Sequence, residues 1–153
     1  GYIFAKVNSI EDIKLIDKLY EASSAGVRIK LIARGVCCLV PQAEDFSKNI
    51  EVKSIVGRYL EHTRIFIFGN NSKHRVFLSS ADWMGRNLDK RIELLFEIYN
   101  EEIVEHIKFV MDTYWKDTAS SHILNNERKY SSPSDAQNRF NAQQFLVKHY
   151  LEK

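Results

Sequence analysis

Residues 15–35, "LIDKLYEASSAGVRIKLIARG", decide the fold class. The first half is helical in pattern. Ile13 lies just ahead of it, and Ile16, Leu19 and Tyr20 keep the three-to-four spacing of one apolar stripe up to about Ala25. Gly26 is placed as a helix stop, because glycine enters the left-handed conformation that ends helices without a steric cost. The second half, "VRIKLIAR", alternates at the period of a strand. Upstream, "YIFAKV" (residues 2–7) alternates in the same way. Asn8-Ser9 follows, with Asp12 three residues after Ser9, a capping-box-like helix start. Strand, helix, strand in this order predicts a βαβ unit: two parallel strands with a right-handed crossover. Arg34-Gly35 then falls at the C-terminal end of the second strand, where open α/β sheets place ligands.

Beyond Pro41 and a polar loop, "IEVKSIV" and "TRIFIFG" read as strands, and "GNNSKHR" as a turn before "VFLSS". "ADWMGRNLDK" is irregular, with Trp83 expected as a lid on the core, and "RIELLFEI" reads as the last strand. Asn100 is expected to cap a helix with Glu101 and Glu102 at its positive end. Its core stripe would be Ile103, Ile107, Val110, Met111 and Tyr114. From about residue 119 the chain is Ser- and Asn-rich, then weakly helical from Ser134. The expected division is an α/β domain over 1–118 and a helical C-terminal tail over 119–153.

The 153 residues, 44% of them hydrophobic, suit one domain with a real core. With 22 basic and 20 acidic residues, the net charge of +2 is too balanced to announce a nucleic-acid or membrane-surface protein. No apolar run approaches the length of a membrane span. The two cysteines, Cys37-Cys38, are adjacent in an apolar run with no metal-ligand spacing, which favours a reducing, cytoplasmic setting over secretion. There is no initiator Met and the first strand opens at the second residue, so a piece of a longer chain is expected.

Three clusters carry candidate chemistry. In "RYLEHTRIFIF" (residues 58–68) His62 and Arg64 share a strand face with Phe66 and Phe68. Imidazole shuttles protons near neutral pH, and guanidinium matches phosphate oxygens while keeping its charge. A partly exposed strand histidine is the alternative, with Glu61 either orienting His62 or solvated. In "LSSADWMGRN", Ser80, Asp82 and Arg86 follow a strand end, where hydroxyl and backbone donors can cradle an anion. Arg34 is the third, with a surface salt bridge as its alternative role. Asp89 and Glu93 are expected to pair with Lys90 and Arg91.

The order βαβ, then His-x-Arg, then Ser-Ser-Ala-Asp resembles one half of a phospholipase D-like fold, where His-x-Lys precedes an acid and a Gly-Ser-x-Asn stretch. Here Arg64 replaces Lys, Gly69 stands where the acid would be, and Ser80 and Asp82 fill the Ser-x-Asn places. These departures put ordinary phosphodiesterase activity in doubt. A closer resemblance is carried by "LIDKLYEASSAGVRIKLIARGVCCL", "SIVGRYLEHTRIFIF" and "LSSADWMGRNLDKRIELLFEI". They look like the C-terminal domain of bacterial polyphosphate kinase, over roughly residues 3 to 118, with Gly85 where Pro is expected.

The resemblance implies a phospholipase D-like half-domain: a mixed sheet starting with a βαβ unit, with helices packed on it. It implies part of an ATP–polyphosphate phosphotransferase whose phosphohistidine lies in a preceding domain absent here. Arg34, His62 and Arg64 would meet the nucleotide phosphates, with His62 catalytic, and Ser80, Asp82 and Arg86 would support the site's floor. ATP with Mg2+, ADP and polyphosphate would be the ligands, without a metal cage in this segment and without nucleic acid. The upstream domains and a homo-oligomer of the full-length form would be the partners. Membrane association of the full-length, cytoplasmic enzyme stays open. The rival reading is a self-sufficient phosphodiesterase that dimerises to build its own site.

Overall fold

The computed structural model describes residues 1–70, 73–133 and 139–152. The chain runs β1 (Tyr2–Val7), α1 (Ile13–Ser24), β2 (Arg28–Ala33), β3 (Ile50–Ile55), β4 (Arg64–Asn70), β5 (Lys73–Ser79), β6 (Leu95–Ile98), α2 (Glu101–Trp115), β7 (Ser121–Leu124), β8 (Tyr130–Ser131) and α3 (Ala142–Leu151). A π-helical turn, Arg86–Lys90, lies between β5 and β6. The strands form one mixed sheet in the order β6-β5-β4-β1-β2-β3-β7-β8. β1 and β2 are parallel, as the βαβ reading predicts, and β3 continues the parallel run. β4 returns antiparallel to β1, so the start of β4 lies beside the end of β1.

Period-two alternation divides the core. Ala5, Val7, Ile29 and Leu31 pack with Ile16 and Leu19 of α1 on one face. Phe4, Ile32, Ile65 and Ile67 pack with Ile107 and Met111 of α2 on the other. Trp83 is buried and stacks on Phe66 at 5.3 Å between ring centroids, closing the α1 side. Gly26 has φ +86°, and the Val27 N–H donates to Ala22 O (3.0 Å), so α1 ends in the glycine stop expected of it.

Several expectations shift. Asp12, not Ser9, caps α1, accepting from the Leu15 N–H at 2.8 Å. The Ser9 backbone is spent on the loop after β5, through the Trp83 N–H and Asp82. β5 begins at Lys73, because residues 73–75 of the expected turn already pair with Phe68–Asn70 of β4; Arg75 also pairs with Glu97 of β6 at 2.8 Å. Residues 71–72 of the expected turn lie outside the described residues. β6 is shorter than "RIELLFEI" and is not the last strand: β7 pairs with β3 and β8 with β7, so residues 119–153 add two strands to the sheet as well as α3. The expected helical start at Ser134 lies outside the described residues. In α2, Ile107 and Met111 are buried, whereas Ile103 is 48% exposed.

Candidate active site

β1, β2 and β4 bring their residues to one rim of the sheet. There the chain leaves β1 at Asn8, leaves β2 at Arg34-Gly35, and enters β4 at Arg64. Gly35 lets the first two approach closely. Its N–H donates to Asn8 O at 2.6 Å, and a Cβ on it would lie 3.0 Å from that oxygen and 2.9 Å from Ser9 Oγ.

Arg64 is the fixed point of the rim. Its Nε and Nη2 donate to Asp82 Oδ1 and Oδ2 at 3.2 and 3.0 Å, a bidentate pair with both side chains largely buried. Nη1 donates to His62 O and to His62 Nδ1, both at 3.1 Å. A guanidinium only donates, so Nδ1 is the acceptor and the proton of the neutral ring sits on Nε2. His62 itself is exposed, and it lines an open groove of about 620 Å³ with Tyr59, Leu60, Tyr114, Leu146 and Tyr150.

Asp82 is the other half of this pair. It accepts from the Asn8 N–H (2.7 Å) as well as from Arg64, and so joins the exit of β1 to the entry of β4. Burial pushes its carboxyl up, but Arg64 and the Asn8 amide outweigh that and hold it below the usual aspartate value. Ser80 instead ties the segment before β6: its N–H donates to Leu94 O, and its hydroxyl accepts from the Leu94 N–H while donating to Glu93. Glu93 therefore pairs with Ser80 and with Asn87 Nδ2 (2.6 Å) rather than forming an ion pair with Lys90 or Arg91. Arg86 is exposed on the π-helical turn. Arg34 is half-buried, and its Nε is buried with no hydrogen-bond partner among the described residues.

Lys6 is the residue that sequence reasoning missed. It is 2% exposed, and its ammonium donates to Thr63 O (3.2 Å) and Thr63 Oγ1 (2.9 Å) and lies 3.3 Å from Glu61 Oε2. Three protons meet three acceptors. Burial pulls Lys6 below the usual lysine value, against the pull of Glu61, and the charges of Arg34 and Arg64 lower it further. Both arginines are therefore within electrostatic reach of one point on the rim. Glu61 turns inward, away from solvent, and accepts from Tyr114 Oη at 3.0 Å. The available signal was a lone lysine two residues beyond Phe4 on the α2-facing side of an apolar strand.

Among the described residues, no group of three His, Cys, Asp or Glu side chains is placed to hold a metal ion. The two buried carboxylates near His62 are already paired, Asp82 with Arg64 and Glu61 with Lys6.

Comparison with known proteins gives this rim its context. The family model described as polyphosphate kinase C-terminal domain 2 matches residues 1–143. The polyphosphate kinase of Pseudomonas aeruginosa is 46% identical over 149 residues, 96% of this chain and 22% of that protein. That of Helicobacter pylori is 41% identical over 152 residues, 99% of this chain and 22% of that protein. The chain thus spans about a fifth of the length of the curated relatives it matches. The crystal structure of polyphosphate kinase from Porphyromonas gingivalis superposes with a TM-score of 0.93 at 37% identity, covering 99% of this chain and 23% of that one. NucT from Helicobacter pylori shares the fold alone, with a TM-score of 0.60 at 13% identity over 75% of this chain and 79% of that one. The sheet is the expected phospholipase D-like half-domain, and the chain belongs to the polyphosphate kinase C-terminal domain 2 family.

Proposed function

We propose that this chain forms one wall of the active site of an ATP–polyphosphate phosphotransferase, the other wall being supplied by a preceding domain that carries a nucleophilic histidine. The observation that carries the reading is the Asp82–Arg64–His62 relay, which locks the imidazole with Nδ1 inward and leaves Nε2–H as the outward donor at a cationic rim. In synthesis the bond between the γ-phosphorus and the β,γ-bridging oxygen of ATP breaks. A P–N bond forms on the partner histidine, and ADP leaves. The P–N bond then breaks as the terminal oxygen of polyphosphate takes the phosphoryl group. In such transfers the protein acts mainly by positioning and by stabilising charge.

Each residue has a part. Arg34, with a buried Nε in want of an acceptor, binds a phosphate oxygen. Arg64 supplies a fixed positive field without leaving Asp82. His62 Nε2–H donates to the oxygen on which charge grows as ADP departs, or passes its proton there. Magnesium enters as part of the MgATP substrate. Loss of the Lys and the acid of ordinary phospholipase D-like sites argues against a self-sufficient phosphodiesterase.

The test is His62→Ala in the full-length enzyme. The expected result is a fall in synthesis of roughly 10²–10⁴-fold, with stability within about 0.5 kcal/mol of the parent because the ring is exposed. His62→Gln separates the roles, since an amide donates a hydrogen bond but shuttles no proton. Near-normal synthesis by the Ala variant at an unchanged melting temperature refutes the assignment.

A further inference from the structure

The segment from 56 to 63, between β3 and β4, has no regular secondary structure, yet it carries His62. A catalytic group on such a loop keeps its place only if neighbouring side chains fix the backbone. Gln143, the second residue of α3, is 4% exposed and does this directly. Its Nε2 donates to Tyr59 O (2.8 Å) and Glu61 Oε1 (2.6 Å), and its Oε1 accepts from the Tyr59 N–H (3.0 Å). From the opposite side Lys6 holds Glu61 and both oxygens of Thr63. Residues 59, 61 and 63 are thereby gripped, and His62 is left exposed between two of them.

Two further observations point the same way. Gly57 is not left-handed, so its backbone does not call for glycine. What it provides is room: a Cβ there would lie 2.8 Å from Gln143 Cδ. The start of α3 is itself anchored. The buried Asp117 accepts from the Ala142 N–H (2.8 Å) and the Ser120 N–H (2.7 Å), and Asn141 caps the helix and donates to Ser120 Oγ (3.0 Å). A buried ion pair such as Lys6–Glu61 is a weak source of stability, and fixing geometry is its better-attested use.

We propose that α3 is a positioning element of the active site: Gln143 and Lys6, acting through Tyr59, Glu61 and Thr63, clamp the loop and so set where His62 Nε2 points. The proposal rests on the reading of His62 given above. Gln143 and Lys6 touch no substrate in this scheme.

The test uses the full-length enzyme with Gly57→Ala, Gln143→Met and His62→Ala, and each clamp variant combined with His62→Ala. Gly57→Ala pushes the far end of Gln143 out of the clamp while leaving α3 and the core untouched, so it decides the matter if Gln143→Met fails to fold. Each clamp variant is expected to lower kcat on the order of 10²-fold, the cost of a displacement of about 1 Å in a reacting group. Amide exchange should quicken over residues 57–63 alone, and the residual rate of His62→Ala should fall no further. Parent-like kcat in Gly57→Ala and Gln143→Met beside an inactive His62→Ala overturns the clamp alone. So does an equal loss in the His62→Ala background, or unchanged exchange over the loop. An active His62→Ala enzyme overturns the reading beneath it.

Discussion

Replacing Asp82 tests the rim at its most constrained point. The carboxylate accepts from Asn8 N–H, Ser9 N–H and two nitrogens of Arg64, and it is 4% exposed. Asp82→Ala leaves a largely buried guanidinium unpaired and strips the acceptor from a buried amide. Breaking a buried pair in this way costs roughly 3–5 kcal/mol, a large part of the 5–15 kcal/mol typical of a domain. Asp82→Asn keeps an acceptor for Asn8 but gives up the charge, and should cost roughly 1–3 kcal/mol. The pH dependence has a definite sign. The folded-state value of Asp82 is depressed, so its contribution is present above the unfolded value near pH 4 and is lost as pH falls through the folded value. Urea unfolding of the 153-residue chain and both variants at pH 7, and at steps below pH 4, should therefore show a gap between wild type and Asp82→Asn that closes on acidification. An Ala variant within about 0.5 kcal/mol of wild type at pH 7, or a gap that persists in acid, would refute the relay as an energetic unit.

Gly85 has φ −54°, inside the proline range, and a Cβ there meets Asp89 Oδ2 only at an ordinary 3.9 Å. Gly85→Pro should stabilise the chain by about 0.4–1 kcal/mol through its unfolded state, read as a higher melting temperature, and a lower one would show that the π-helical turn needs glycine. The two cysteines should also part company. Burial pushes the Cys37 thiol up to about 11, whereas Cys38 is exposed. Iodoacetamide at pH 8 should modify Cys38 first, because Cys37 holds on the order of 10²-fold less thiolate than an ordinary cysteine, and peptide mass mapping that found equal rates would contradict this.

What could be read in advance followed from local rules. The apolar stripe ending at Gly26 and the alternation on either side of it are written in neighbouring residues, and they suffice for β1, α1, β2 and their parallel pairing. Arg34, His62 and Arg64 could be carried to one rim because strand ends are placed by topology alone. The unreadable parts depend on partners far along the chain. Asp82 lies 18 residues from Arg64 and 74 from Asn8, and Gln143 lies 82 from Glu61. β7 is too short and polar to announce itself, and it forms because β3 offers an open edge. Alternation places Lys6 beside Phe4 on a face that α2 covers, but its partners Glu61 and Thr63 lie more than fifty residues away along the chain.

The two departures of the rim from the phospholipase D-like pattern explain each other. Lysine is a compact point charge on a flexible stem with three rotatable donors. Arginine at position 64 presents five donors in a rigid fork, and it needs a planar anion to hold that fork still. Asp82, in the asparagine place, is that anion, and the pair closes bidentately. With Nε and Nη2 committed to Asp82, Nη1 is left aimed at His62, and it fixes the tautomer of the ring. Arg64 is thereby part of the frame that holds the histidine. On the same rim, the buried Nε of Arg34 lacks a hydrogen-bond partner among the described residues.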